Sequence, residues 1–298
     1  MTTSENVVFL RNRLRQIVAA IRLKVMGSIA RKPALRSTPE IGGHRFLFIS
    51  GLHRSGTSIL HRLIRGHPDC TAFSKSGVPE DEGQHLQSVV PAASAFGGPG
   101  VFAFDARCNL DENSDLVTAI NRDKLLREWC AYYNLAKKTL LEKSPTTIVR
   151  ARFFQALFPG CRFIFIVRHP IAVSLATRKW SRTSLEDLID HWITAHTIML
   201  RDMAHLENKI VVRYEDLVAS PQPILNKIYS FAGLTPIPAS EQLRDHNAAY
   251  YVAWNTTDVD SAAHIRRHRP EFGHFAERFG YQLTAPFVEP IASTTFEI

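Results

Sequence analysis

An eight-residue loop, 51–58, has the composition and glycine spacing of an anion-binding site. It lies between a predicted strand and a predicted helix, where free backbone N–H groups and the helix dipole attract negative charge. Gly51 and Gly56 are spaced as in the nucleotide-binding pattern GxxxxGK[ST], but Thr57 stands at the position of the lysine. The positive charge lies instead inside the loop, at Arg54. The loop therefore predicts a phosphate site that differs from that of a nucleoside-triphosphate enzyme.

This arrangement suits a 5′-phosphosulfate group better than a triphosphate. The hydroxyls of Thr57 and Ser58 are suited to bind the 5′-phosphate. Arg54 is suited to neutralise charge on the oxygen that bridges phosphorus and sulfur. The alternative interpretation is a simple glycine turn that binds no ligand.

A second candidate phosphate site lies at residues 163–170, which read Phe-Ile-Phe-Ile-Val-Arg-His-Pro. The apolar part predicts a buried parallel strand, and Pro170 is typical of the first turn of a helix. Arg168 would then lie at the carboxyl end of the strand, where open α/β sheets bind ligands. Its planar guanidinium can hold a phosphate through two hydrogen bonds. The alternative is a structural salt bridge.

Together these motifs resemble the sulfotransferases that depend on 3′-phosphoadenosine 5′-phosphosulfate (PAPS). The sequence His-Arg-Ser-Gly-Thr-Ser at 53–58 is similar to the 5′-phosphosulfate loop of that family, and Arg168 to its 3′-phosphate ligand. Many cytosolic members have lysine where this chain has Arg54. The chain is therefore more similar to the carbohydrate and tyrosylprotein members, which use arginine.

Two further segments extend the resemblance to about residues 44–235. The segment Leu-Glu-Lys-Ser-Pro would place Lys143 at a strand end, near the transferring sulfuryl group. Pro145 stands where the cytosolic members have a catalytic histidine, so the resemblance implies a different base. The segment Arg-Tyr-Glu-Asp-Leu contains Tyr214 and Asp216, which are expected to support the fold.

The resemblance implies a donor site made from the loop and the strand end. The residues expected to bind PAPS, or the product 3′-phosphoadenosine 5′-phosphate (PAP), are Arg54, Ser55, Gly56, Thr57, Ser58 and Arg168. The family also has a serine eight residues after the arginine, where this chain has Ala176. Ser174 is the predicted replacement, and Arg178 with Lys179 is the alternative.

Removal of the proton from an acceptor hydroxyl requires a general base. In the carbohydrate and tyrosylprotein relatives a glutamate in the region that follows the first helix can serve as that base. We predict Glu82, with Glu80 and His85 as alternatives. The catalytic residues expected on this basis are Arg54, Glu82 and Lys143. The competing interpretation of the acidic run is a solvated turn.

The distribution of strands and helices predicts an α/β protein. Four buried strands are expected at about 46–50, 139–142, 162–167 and 209–214. Helices are expected through residue 64, at 125–135, at 153–158, from Pro170 onward and at 223–232. This alternation predicts a three-layer, P-loop-like fold, with a central parallel sheet flanked by helices. Residues 91–115, rich in Gly, Pro, Asn and Asp, are expected to form a long surface loop.

The chain of 298 residues is predicted to have a basic helical extension at 1–40 and a sulfotransferase domain at 41–298. The extension carries no acid between residues 6 and 39. It is compatible with peripheral contact to an anionic membrane, or with packing on its own domain. The tail after about residue 283 is expected to be irregular. No apolar run approaches a membrane span, and no export signal is recognised.

Composition restricts the ligand and compartment only weakly. The net charge of +8 favours anionic partners without choosing among them. Four scattered cysteines without a CxxC pair predict buried free thiols in a reducing compartment, with a lumenal disulfide as the alternative. The paired histidines lack neighbouring ligands, so no metal is expected. A cytoplasmic location is expected, with a lumenal one left open.

The predicted function is sulfuryl transfer from PAPS to a hydroxyl of an unidentified glycan, lipid, peptide or small alcohol. A P-loop kinase or NTPase is one alternative, although Thr57 replaces its lysine. A basic protein that binds nucleic acid or a membrane surface is another, although no nucleic-acid-reading motif is present and we expect no nucleic-acid partner. An inactive relative with the same fold is a third.

Overall fold

A computed structural model describes residues 32–284. Its centre is a five-stranded sheet in which all pairings are parallel, with strand order β2-β3-β1-β4-β5. The strands are β1 (Arg45–Ser50), β2 (Cys70–Ala72), β3 (Thr139–Lys143), β4 (Arg162–Val167) and β5 (Lys209–Arg213). The chain crosses over between strands, so their carboxyl ends meet at one edge of the sheet.

Ten helices within residues 32–284 cover the sheet. They are α1 (Thr57–Arg65), α2 (Ala119–Trp129), α3 (Ala151–Leu157), α4 (Pro170–Arg178), α5 (Leu185–Met203), α6 (Tyr214–Ala219), α7 (Pro221–Ala232), α8 (Ala248–Thr256), α9 (Val259–His268) and α10 (Pro270–Glu277). Short 3₁₀ turns connect several of them.

The side chains of the central strands alternate between two cores. On β1, Phe46 and Phe48 belong to an aromatic core that also contains Trp129 and Trp192. The opposite face of the sheet carries Leu, Ile and Val side chains, which pack on α1 and α7. Because successive strand residues point to opposite faces, a run that is apolar throughout must be covered on both sides. The three-layer arrangement predicted from the sequence is confirmed.

Most of the expected elements are present, and the differences have local causes. All four expected strands are confirmed, but the three-residue edge strand β2 was not predicted. The helix expected at 125–135 is wrong in its bounds, because α2 begins at Ala119 and ends at Trp129. Its start is fixed by Thr118, whose hydroxyl accepts a hydrogen bond from the backbone N–H of Asn121 at 3.1 Å.

Residues 91–115 are not the expected surface loop. They fold into short 3₁₀ turns that bury Phe102 and Cys108 in the same core as the sheet. Gly97 and Gly100 have φ values of 87° and 81°, a left-handed conformation in which glycine carries no steric cost. These glycines let the segment turn back on itself, so its apolar side chains reach the core.

Several predictions concern residues near the ends of the chain. The predicted basic extension lies mostly before residue 32, outside the described residues, and residues 32–40 contain no helix. The tail from residue 285 also lies outside them. Among the described helices, none has the length and apolarity required to cross a bilayer. All four cysteines are buried free thiols, as predicted.

Candidate active site

A cavity of about 580 Å³ opens at the carboxyl edge of the sheet. Its walls come from the loop after β1, the turn at 80–82, and the residues that directly follow β4 and β5. Residues 246–250 complete it. Ligands of open α/β sheets bind at this edge, and the volume is typical of a site for a small molecule.

A larger cavity of about 900 Å³ lies at the opposite edge, where β1 and β3 begin. Its lining includes Arg45, Thr139 and Cys161. None of the predicted site residues lies there. Most of the predicted site residues line the smaller cavity instead.

The loop after β1 borders the cavity at the start of α1. Gly56 has φ 99°, and a Cβ atom there would lie 2.7 Å from Cδ2 of Tyr214. A larger residue would therefore clash with Tyr214 as well as strain the backbone. Thr57 and Ser58 line the cavity, and the first N–H groups of α1 lack helical partners. The Ser58 hydroxyl donates to Oε2 of Glu80 at 3.0 Å.

Two other residues of the loop differ in their surroundings. Arg54 lines the cavity, is exposed, and packs its guanidinium on the Trp180 ring at 4.6 Å from the centroid. Ser55 is fully buried outside the cavity lining, and its hydroxyl has no hydrogen-bond partner among the described residues. The structure thus brings Arg54 to the cavity and places Ser55 behind it.

Arg168, which directly follows β4, is almost completely buried against the cavity. Its Nε atom donates to Oδ1 of Asn247 at 2.8 Å, and Nη1 donates to the backbone oxygen of Arg54 at 2.8 Å. Its Nη2 atom is buried and has no partner within residues 32–284. Asn247 is itself fixed by Glu215, whose Oε1 accepts from Nδ2 at 2.7 Å. The guanidinium is therefore held in place with one donor left over.

Aromatic rings surround this guanidinium. It lies 4.1 Å from the ring centroid of Tyr214 and 5.7 Å from that of Tyr250. The ammonium of Lys179 lies 5.0 Å from the centroid of Tyr250 on α8. Lys179, Tyr214 and Tyr250 all line the cavity. Two cations therefore face this part of the cavity, with a tyrosine ring close to both.

Ser174, Arg178 and Lys179, the candidates to replace the missing family serine, have different surroundings in the structure. Ser174 on α4 is fully buried and outside the cavity lining, and its hydroxyl has no described partner. Arg178 forms a two-bond ion pair with Asp258, at 2.6 and 3.0 Å. Of the three, only Lys179 lines the cavity.

The predicted base and the predicted lysine form an ion pair. Nζ of Lys143, at the end of β3, donates to Oε1 of Glu82 at 3.1 Å. Lys143 is fully buried and Glu82 nearly so, but Glu82 reaches the cavity lining. The other carboxylate oxygen, Oε2, accepts from Nε2 of Gln84 at 2.5 Å. The carboxylate is thus held at the cavity wall by two donors.

The alternative bases occupy different positions. Glu80 lines the cavity and accepts the bond from Ser58. His85 lies outside the lining, with Nε2 3.7 Å from Oε2 of Glu82. Glu82 is the only one of the three that combines burial, contact with Lys143 and access to the cavity.

His53, which was not singled out from the sequence, also lines the cavity. Its Nδ1 atom is buried without a partner among the described residues. Burial lowers its pKa to about 4, so the imidazole is neutral at pH 7. Its position inside the glycine loop was a usable signal for a site residue.

Tyr214 was expected to be architectural, but it lines the cavity and contacts Arg168. Asp216 fits the architectural expectation, because it accepts two bonds from Arg213 at 2.7 and 2.8 Å. Tyr250 carried no motif in the sequence. Residues 32–284 contain no group of three or more His, Cys, Asp or Glu side chains that could hold a metal ion.

Comparison with known proteins gives one family. Residues 47–238 match the family model described as the sulfotransferase family. Protein-tyrosine sulfotransferase 2 of Gallus gallus is 24% identical over 200 residues, which cover 63% of this chain and 51% of the relative. Omega-hydroxy-beta-dihydromenaquinone-9 sulfotransferase Stf3 of Mycobacterium tuberculosis (strain CDC 1551 / Oshkosh) is 24% identical over 174 residues, which cover 52% of this chain and 44% of the relative.

A solved structure described as the sulfotransferase domain from the curacin biosynthetic pathway aligns with a TM-score of 0.47 and 20% identity. That alignment covers 80% of this chain and 98% of the other. The chain spans about half the length of the curated relatives it matches.

Proposed function

The chain belongs to the sulfotransferase family, and from this premise we propose that it transfers a sulfuryl group from PAPS to an acceptor hydroxyl. The relatives carry names that refer to protein tyrosine and to an omega-hydroxy dihydromenaquinone, and both of these acceptors present a hydroxyl. The identity of the acceptor for this chain is left to the experiment below.

The observation that carries the proposal is the Arg168 guanidinium, which lines the cavity and whose buried Nη2 atom has no described partner. A buried donor without a partner costs about 1–3 kcal/mol, and more when it is charged. A phosphate oxygen of a ligand would remove that cost and gain a charge-assisted hydrogen bond. These features support an anionic ligand at this position.

We assign the two phosphates of the donor to different parts of the cavity. Gly56, Thr57 and Ser58 bind the 5′-phosphate, with the N-terminus of α1 behind them. Arg168 and Lys179 bind the 3′-phosphate. Lys179 replaces the family serine, whose position is occupied by Ala176 in this chain. Ser174 stays a prediction that its position does not favour.

The proposed transfer step uses Glu82 and Arg54, which line the cavity, and Lys143, the buried ion-pair partner of Glu82. The acceptor oxygen attacks sulfur in line with the bond to the leaving phosphate oxygen. As the new oxygen–sulfur bond forms and the old one breaks, the acceptor proton passes to the carboxylate of Glu82. The electron pair of the broken bond leaves with PAP, and Lys143 and Arg54 stabilise the negative charge that develops.

The remaining alternatives receive less support. A kinase would lack the lysine that its phosphate loop needs, because Thr57 occupies that position. Nucleic-acid binding has no motif in the sequence and no support from the family match.

The proposal is tested by incubating the protein with PAPS labelled in the sulfuryl group. The acceptor panel is a tyrosine-containing peptide, a long-chain lipid alcohol and an oligosaccharide. We expect label to move to one acceptor class, and Glu82→Gln to lower kcat about 100-fold or more because general-base catalysis typically contributes that much.

The affinity of Glu82→Gln for PAP is the internal control. It should stay within about twofold of the parent, because Glu82 is assigned to the acceptor and not to the donor phosphates. Full kcat in this variant would move the base to another residue. A parent protein that binds no PAP would overturn the proposed donor.

A further inference from the structure

The end of β3 contacts the turn that carries Glu82 at three successive residues. Each of the three β3-end side chains reaches a different residue of the turn. The contacts are Glu142 Oε1 with the N–H of Gly83 at 3.1 Å, Lys143 Nζ with Glu82 Oε1 at 3.1 Å, and Ser144 Oγ with the N–H of Gln84 at 2.9 Å. The mechanism above uses only the middle contact.

Glu142 is almost completely buried at the centre of this set. It is 1% exposed, and its Oε1 atom also accepts from the Ser144 hydroxyl at 2.5 Å. A Cβ atom on Gly83 would lie 2.8 Å from Cγ of Glu142 and 2.9 Å from Cε2 of Phe73. The turn therefore rests directly on the Glu142 side chain, and only glycine permits this approach.

The hydrogen bonds suit a carboxyl that is not ionised. All the described hydrogen bonds to Glu142 go to Oε1, while Oε2 is buried without a described partner. A carboxylate would leave half of its charge on that oxygen without compensation, and such burial is costly. A protonated carboxyl instead leaves only a neutral hydroxyl there.

The surroundings of Glu142 also favour the protonated carboxyl. Burial raises its pKa to about 8, and the carboxylate of Glu82 contributes to the rise. Ser144, Lys143 and the N–H of Gly83 oppose that rise without cancelling it. Tyr133 is the other titratable neighbour, and burial with the nearby Glu142 raises its pKa well above 10. When Glu142 is neutral, Glu82 is the charged partner of the Lys143 ammonium.

We propose that Glu142 is a positioning residue that acts as a neutral carboxyl, holding the turn at 82–84 so that Glu82 meets Lys143 at the cavity wall. This inference rests on the proposed function for the role of Glu82. The neutral state of Glu142 and its contact with the turn do not depend on the reaction.

The catalytic test compares Glu142→Gln with Glu142→Ala. Glutamine keeps an acceptor oxygen for Gly83 and Ser144, whereas alanine removes it. The measured rate is loss of the sulfuryl group from PAPS, which gives sulfate when water is the acceptor and a sulfate ester with the best acceptor of the panel above. We expect Glu142→Gln to keep kcat within about threefold, and Glu142→Ala to lower it at least tenfold with PAP affinity within twofold. A Glu142→Ala kcat equal to that of the parent would overturn the positioning role.

The protonation test uses infrared spectra of the full chain between pH 5 and pH 9. We expect the C=O stretch of a protonated carboxyl at pH 6 that disappears with a midpoint near pH 8 and is missing in Glu142→Gln. Absence of this band in the parent at pH 6 would overturn the neutral state, even if an alanine variant failed to fold.

The pH dependence of stability gives a second measure of the same state. Between its ordinary pKa of 4.5 and about 8, the carboxyl loses its proton in the unfolded chain but keeps it in the folded protein. The free energy of unfolding of the parent should therefore fall across this window relative to that of Glu142→Gln. Parallel curves for the two proteins would contradict the proposal.

The outcomes separate this inference from the proposed function. If the parent binds no PAP and releases no sulfate, the proposed function fails, while the infrared and stability tests still decide the state of Glu142. If the parent is active and the Glu142 variants behave like it, this inference alone fails.

Discussion

Two buried arginines differ in how completely their guanidinium nitrogens are hydrogen-bonded. Arg150, 1% exposed, lies at the start of α3 and donates to the backbone oxygens of Cys108 and Pro91 and to Sγ of Cys108. Arg168, 6% exposed, lies at the carboxyl edge of the sheet and has two of its three nitrogens bonded. The first bridges the segment 91–108 to the core, and the second, which we assign to a ligand, has one nitrogen without a described partner.

Burial alone therefore does not separate a structural arginine from a binding one. Neither side chain has a carboxylate as a direct described hydrogen-bond partner, so the presence of an acid does not distinguish them either. The difference is the number of guanidinium nitrogens that have a described hydrogen bond, three in Arg150 and two in Arg168. That count depends on which distant oxygens the fold brings near each guanidinium.

The comparison is tested most strongly by Arg150→Ala. The change leaves the backbone oxygens of Cys108 and Pro91 without donors and opens a cavity beneath residues 91–108. We expect the free energy of unfolding to fall by about 3 kcal/mol, measured by denaturant titration. At temperatures where the variant is folded, PAP affinity should stay within about twofold.

Arg107→Ala is the matched control, since Arg107 is exposed and pairs locally with Asp105. It should change stability by less than about 0.5 kcal/mol. An Arg150→Ala protein as stable as this control would mean that the bonds of Arg150 do not hold the segment.

A smaller effect is expected at Lys179. Its exposed ammonium faces the cavity without a described acidic partner, so Lys179→Ala should weaken PAP binding about fivefold and leave 5′-AMP binding unchanged. Competition titrations of the two nucleotides measure both effects. The loss should diminish as ionic strength rises, because the contact is partly screened.

Arg178→Ala and Ser174→Ala are the control variants for Lys179→Ala. Arg178 is engaged by Asp258 and Ser174 lies outside the cavity lining, so each variant should bind PAP within twofold of the parent. A larger loss in Ser174→Ala than in Lys179→Ala would restore the serine as the replacement for the family residue.

The sheet was largely predictable because its strands have a local signature. The runs at 46–49 and 163–167 are apolar throughout, which is typical of strands covered on both faces. The family resemblance, expected over 44–235, is confirmed by the match to 47–238. β2 could not be predicted, because three residues carry no periodicity and its pairing with β3 is a tertiary event.

The site was predictable where a motif surrounds the residue. The loop at 53–58 and Arg168 were found because each follows an apolar strand. Lys179 and Tyr250, which line the cavity, and Asn247, which binds Arg168, were harder to assign because they come from segments separated by about 70 residues. Glu142 was not singled out at all, since the role we propose for it depends on contact with Gly83, 59 positions earlier.

The most direct test is a calorimetric titration of PAP and 5′-AMP into the parent and into Arg168→Ala. The parent should bind PAP much more tightly than 5′-AMP, because the 3′-phosphate meets the free Nη2 atom of Arg168. Arg168→Ala should lose at least about 30-fold in PAP affinity while 5′-AMP affinity changes little, so the preference for PAP largely disappears. Equal binding of the two nucleotides by the parent, or an unchanged preference in the variant, would contradict the assignment of Arg168 to the donor.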